Sequence, residues 1–244
     1  MEFFRPLVPG TLIRRYKRFL ADVRLDDGTE VTSHCANPGA MTGLADPGTR
    51  VWLEPNDDPK KKLKYGWRLV ELGGGHWAGI DTSVPNRVVG DALRAGEIPG
   101  ISGEVRPEVR YGTNSRIDFL VTGDGPDTYV EVKNVHLRRT GDFAEFPDSV
   151  TSRGAKHLEE LGKVVSAGGR AVMLYLVQRT DCSRLGFAAD IDPVYAATLE
   201  RAVTAGVEAM ALTCHIGPKG VGIAGAVPVT LPGGPPVVAA EEKA

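Results

Sequence analysis

Along the first third of the chain, apolar residues alternate with polar ones in short runs, the two-residue period of strands half-buried on a core. Residues 19–25 and 31–35 read as strands, with Asp26-Asp27-Gly28 between them as a hairpin signal, and residues 12–13 as a shorter one before them. Residues 50–54, 67–72 and 76–80 continue the pattern, the last two joined by Gly73-Gly74-Gly75. So many short strands in so short a span predict a small β-barrel over residues 1–82. An OB-fold-like barrel and an SH3-like barrel would leave much the same string, so the pattern does not choose between them.

The period then changes. Residues 86–95 put Val88, Val89, Ala92 and Leu93 near helical spacing, after Pro85 and before Pro99-Gly100, and predict a helical connection over residues 83–100. Residues 101–217 read as strands at 104–111, 116–122 and 129–135, a helix at 151–166, a strand at 171–177, a helix at 193–205 and a strand at 208–215. The strand at 171–177 is apolar throughout, which suits burial on both faces. The expected class is mixed α/β: a barrel, then a mixed sheet flanked by helices. From residue 218 to 244 the chain is rich in Gly, Pro and Ala and reads as a flexible tail.

Composition excludes more than it identifies. With 42% hydrophobic and 25% charged residues, an ordinary globular protein is expected. No apolar run approaches the roughly 20 residues that span a bilayer, and residues 1–10 lack a secretory pattern. Cys35, Cys182 and Cys214 form no CxxC pair, which argues against a disulfide framework or a zinc knuckle. A cytoplasmic protein is expected. With a net charge of −2, the chain lacks the strongly basic balance usual in a general DNA-coating protein. Phosphate contact would have to come from local patches, of which there are two: Arg14, Arg15, Lys17 and Arg18, and Lys60, Lys61, Lys62 and Lys64. From charge alone, each reads more readily as a solvated surface.

One constellation carries chemistry. Side chains alternate faces along a strand, so Arg116, Asp118 and Leu120 share one face of the first strand, and Tyr129, Glu131 and Lys133 share one face of the second. A hairpin closed around Asp124-Gly125 sets Phe119 opposite Val130 and Ile117 opposite Val132. The same register sets Asp118 opposite Glu131, with Cβ atoms about 4.5–5.5 Å apart. Two opposed carboxylates call either for a raised pKa or for a shared cation. Mg²⁺ takes oxygen ligands and tolerates one or two carboxylates plus water. Spacing alone favours the plainer account, a solvent-facing pair neutralised by Lys133 and Arg116.

The wider pattern shifts that balance. Asp118 with Glu131-Val132-Lys133 resembles the D…ExK motif of PD-(D/E)xK nucleases. Residues 34–44 (HCANPGAMTGL), 111–119, 131–135 and 146–158 together are similar to the sugar fermentation stimulation protein A family, over roughly residues 5–216. The resemblance implies an N-terminal OB-fold, a restriction-endonuclease-like C-terminal domain, DNA binding and a link to sugar (maltose) metabolism. It implies Asp118 and Glu131 as ligands of Mg²⁺ (or Mn²⁺) and Lys133 as the catalytic lysine. An upstream third acid is expected, Glu108 first and Glu104 second. Arg153 and His157, four apart on one helix face, are expected to contact nucleic acid, together with Arg116, Arg15, Lys17 and Asn37. The alternatives are a non-catalytic DNA-binding regulator and a binder of an anionic metabolite.

Overall fold

The computed structural model describes residues 1–112 and 115–232, and the backbone of residues 236–237. Its first five strands are β1 (Val8–Tyr16), β2 (Leu20–Leu25), β3 (Glu30–Cys35), β4 (Arg50–Pro55) and β5 (Tyr65–Glu71), followed by the short β6 (Trp77–Gly79). They run in the order β3-β2-β1-β4-β5-β6, and a parallel β3–β5 pairing at His34↔Gly66 and Cys35↔Trp67 closes the sheet into a five-stranded barrel. That closure is OB-like and settles what the alternation left open. Val23, Leu53 and Trp67 fill the interior, and Met41 and Leu44 from the β3–β4 loop join the same core.

The second domain begins with α1 (Val84–Ala95). Predicted as the connection, this helix also packs: Val88, Val89, Ala92 and Leu93 are buried against Val130, Leu174 and Leu212 of the sheet. Gly90 faces the Phe119 ring so closely that a Cβ there would sit 2.9 Å from it. The strands are β7 (Glu104–Tyr111), β8 (Ser115–Thr122), β9 (Thr128–Val135), β12 (Arg170–Val177), β14 (Glu208–Gly217) and β15 (Gly220–Val227). Between these lie β10 (Leu137–Arg138), β11 (Phe143–Phe146) and β13 (Arg184–Phe187). Helices α2 (Ser152–Ser166) and α3 (Pro193–Thr204) complete the layer. The main sheet has the order β15-β14-β12-β9-β8-β7, with β12 parallel to both neighbours. As expected for a strand covered on both faces, residues 171–177 are all fully buried. One face meets α1; the other meets α2 and α3 through Leu158, Leu161, Tyr195 and Leu199.

Two expectations need correction. The segment after Gly217 is not a flexible tail through its first half: β15 pairs antiparallel with β14, and β16 (Val229–Thr230) pairs with β13. Val221 and Val229 are buried, the Met1 amino group donates to the Val221 carbonyl at 2.9 Å, and Glu2 bridges to Gly220. Small residues gave no apolar pattern here. The open edge of β14, with unpaired backbone groups, supplies the pairing instead. The second correction is a small separate sheet, β10-β11-β13-β16 with β17 (Pro236–Val237), whose strands are too short and too mixed to announce themselves. Residues 233–235 and 238–244 of the predicted tail lie outside the described residues.

Candidate functional site

The site forms where β8 leaves β9. β8 pairs with β7 from Thr122 to Ser115, but with β9 only at Phe119↔Val130, Leu120↔Tyr129 and Val121↔Thr128. The predicted register is therefore correct as far as it runs, and stops one residue before Asp118. Ile117 does not face Val132. It lies in the core under α2 and α3, while Phe119 and Val121 lie in the core under α1. The strands part because the Asp118 carboxylate takes the place of a backbone acceptor: its Oδ2 receives the Val132 N–H at 2.8 Å.

Asp118 Oδ1 accepts from Asn86 Nδ2 at 2.7 Å. Burial pushes the Asp118 carboxyl above its usual range, and the charge of Glu131 adds to the rise. Glu131, 3% exposed, behaves oppositely. Burial works to raise it, but the hydrogen bond from His157 and the charge of Lys133 outweigh that and hold it below the ordinary value. Lys133 Nζ lies 2.6 Å from Glu131 Oε1, and the His157 ring contacts the same oxygen. Glu131 Oε2 is buried and has no hydrogen-bond partner. Two adjacent carboxylates thus sit in unlike environments, one short of charge stabilisation and one with an oxygen to spare.

The other expected residues divide. Arg153 and His157 are at the site, but His157 is 5% exposed and turned to Glu131 and Lys133, with Arg153 Nε on its Nε2 at 3.3 Å. It has no free surface for a phosphate. Arg116 is exposed on β8, with Arg110 as its ladder partner on the edge strand β7. Glu108 falls between the paired positions facing Asp118, yet it is exposed, with φ of +54°, and is not among the groups acting most on Asp118 or Glu131. Glu104 is exposed at the far end of the same strand.

On the barrel, Lys17 is exposed in the β1–β2 turn. Arg15 is committed to structure: its Nη2 donates to the carbonyls of Asn37 at 2.8 Å and Gly39 at 3.0 Å. Asn37 is corrected outright. It is 1% exposed, donates to the Ile80 carbonyl at 2.8 Å and accepts from Gly39 N–H at 2.8 Å, so it shapes the loop. That loop abuts the second domain, where Asp148 Oδ2 accepts from Ala40 N–H at 3.0 Å. A Cβ on Gly39 would collide with the same Asp148 oxygen.

Three residues at the site were missed in the sequence. Asn86 follows a proline at a helix start and carries no periodic signal. Tyr111 and Glu160 are buried, each with an unpartnered oxygen. Burial, then the charges of Glu131, Glu160 and Asp118, push the Tyr111 phenol far up, so it remains a donor. A cleft of about 430 Å³ lined by Arg110, Tyr111, Ser115 and Arg116 opens beside it. A larger cleft, about 760 Å³, lies away from the acids, on the barrel, among Arg5, His34, Lys61, Lys62, Tyr65 and Arg68.

Comparison with known proteins bears on these two regions separately. Residues 13–80 match the model of the SfsA N-terminal OB domain, and residues 83–220 that of the sugar fermentation stimulation protein RE domain. The sugar fermentation stimulation protein homolog of Dinoroseobacter shibae is 64% identical over 233 residues, covering 94% of this chain and 96% of its own. That of Agrobacterium fabrum is 51% identical, covering 93% and 96%. The structure of Pyrococcus furiosus SfsA in complex with Ca²⁺ superposes with a TM-score of 0.84 at 29% identity, over 94% of this chain and 98% of that one.

Proposed function

This chain belongs to the sugar fermentation stimulation protein family, and we propose that it binds nucleic acid and hydrolyses phosphodiester bonds with a divalent cation, Mg²⁺, held by Asp118 and Glu131. The observation that carries the reading is the buried, unpartnered Glu131 Oε2 beside Asp118. A bare carboxylate oxygen out of water is costly unless it meets a proton or a cation. Among the described residues, no three His, Cys, Asp or Glu side chains gather into a ready metal cage. Two carboxylates fit Mg²⁺, which keeps several of its own waters. Ca²⁺, another hard cation of oxygen ligands, is bound by the Pyrococcus furiosus relative.

When bound, such an ion polarises a phosphoryl oxygen and lowers the pKa of a coordinated water. Asp118 and Glu131 hold it. Asn86 orients the Asp118 carboxylate, and Lys133, 2.6 Å from Glu131 Oε1, has donors left to stabilise charge on phosphate oxygens. Arg110 and Arg116 beside the cleft at Tyr111 offer adjacent phosphate contacts. A second reading, a DNA-binding regulator without cleavage, draws on the barrel cleft away from Asp118 and Glu131, where Lys61 and Lys62 share the lining with Glu54, Asp57 and Asp58 and Arg5 pairs with Asp57 at 2.7 Å.

A cleavage assay on labelled single- and double-stranded DNA and RNA with Mg²⁺ or Mn²⁺ separates them. The hydrolytic reading expects metal-dependent cleavage that is lost in Lys133→Ala and in Asp118→Asn. Absence of cleavage on every substrate, with binding unchanged in both variants, would leave the regulator.

A further inference from the structure

The start of α2 is firmly anchored. The Thr151 hydroxyl accepts from Gly154 N–H at 3.1 Å, and the Thr151 N–H donates to Asp192 Oδ2 at 2.8 Å. From that anchored turn Arg153 and His157 project one helical turn apart, on one face. Arg153 Nε lies 3.3 Å from His157 Nε2. A guanidinium has donors only, so Nε2 presents its lone pair. The proton of a neutral imidazole is then on Nδ1. Nδ1 faces Glu131 Oε1, to which it donates. Lys133 Nζ, 3.3 Å from Nδ1, is also donor-only and finds no lone pair on a protonated Nδ1, so its closer bond, at 2.6 Å, goes to Glu131 Oε1. Ring and ammonium therefore converge on one carboxylate oxygen.

The consequence is asymmetric. Glu131 Oε1 takes two donors and Oε2 takes none. We infer that Arg153 and His157 are positioning residues for Glu131: the guanidinium selects the Nδ1–H tautomer, that N–H pins Oε1, and Oε2 is presented to a divalent cation. This replaces the direct nucleic-acid contact expected for His157, and it rests on the reading of Asp118 and Glu131 as a cation site. Groups that orient metal ligands in this way are worth about 10–100-fold in metal affinity.

The test uses two substitutions that split the ring's two nitrogens. His157→Asn keeps a donor near the Nδ1 position, whereas His157→Gln reaches instead toward the Nε2 position and leaves Oε1 without its second donor. Calorimetric titration of the full chain with Mn²⁺ and with Ca²⁺ is expected to give near wild-type affinity for His157→Asn and about 10–100-fold weaker binding for His157→Gln. Equal losses in the two, or none in His157→Gln, overturn the inference while leaving the cation site standing. A wild type that binds neither ion overturns the cation site and this inference with it. Long-range ¹⁵N–¹H spectra of the wild-type imidazole check the tautomer without a substitution at His157. Protonation at Nδ1 is expected, with a larger Nε2–H population in Arg153→Met than in the wild type, and a wild-type Nε2–H ring refutes the lock.

Discussion

Replacing Asn37 by alanine distinguishes a loop-shaping residue from a nucleic-acid contact. Its amide joins the loop after β3 to the chain after β6, beside a backbone bond from the Thr82 N–H to the Ala36 carbonyl at 3.0 Å: Nδ2 reaches the Ile80 carbonyl and Oδ1 receives the Gly39 N–H, both at 2.8 Å. Ile80 is fully buried, so its carbonyl would lose a partner that water cannot replace, whereas Gly39 is half-buried and can rehydrate. An orphaned buried acceptor costs about 1–3 kcal/mol, and the other lost bond about 1 kcal/mol. The sum, about 2–4 kcal/mol, corresponds to a fall in Tm of about 4–16 °C for a chain of this size. Differential scanning calorimetry supplies the Tm, and fluorescence anisotropy with labelled DNA, at a temperature where both proteins are folded, supplies the affinity. An unchanged Tm together with weakened DNA binding would refute the structural assignment of Asn37.

Three further outcomes are expected. Because burial raises the folded-state pKa of Asp118 above its ordinary 3.8, the stabilisation from its protonated form is complete below that value and lost as pH rises through the folded pKa; metal-free Asp118→Asn should therefore gain stability relative to wild type from pH 4 toward neutrality, and a gain by wild type over that range in paired melts contradicts the cause assigned. Mg²⁺ or Ca²⁺ at 100 times its Kd should stabilise the wild type by about 2.7 kcal/mol, seen as a higher Tm, and should leave Asp118→Asn nearly unshifted; equal shifts in both proteins would place the cation elsewhere. Gly90→Ala forces a methyl to within 2.9 Å of the Phe119 ring and should cost about 1–3 kcal/mol by overpacking, measured by urea denaturation, where no loss of stability would mean that α1 shifts freely on the sheet.

Much of the architecture was legible because burial repeats at the period of the element that creates it. Alternation marked the barrel strands, near-continuous apolarity marked β12, and helical spacing marked α1. Asp118, Glu131 and Lys133 were legible as a group because two strands and a short turn constrain which residues are neighbours, and Phe119↔Val130 follows from matching apolar faces. Barrel closure was not legible, since β3 and β5 meet across about 30 residues of intervening chain that alternation says nothing about. Nor was β15, whose order comes from an available strand edge rather than from its own side chains. The parting of β8 from β9 at Asp118 was hidden for a related reason: a period-two reading assumes that the ladder continues, and a carboxylate substituting for a backbone acceptor ends it. Partners from distant elements then decide the roles. His157 lies on α2 and Asn86 on α1, and only packing those helices on opposite faces of the sheet turns one toward Glu131 and the other toward Asp118. The sequence alone thus determined which elements form and which acids lie near one another. The tertiary structure decided which oxygens are already bound and which one is left without a partner, because that depends on groups brought together only when the helices dock.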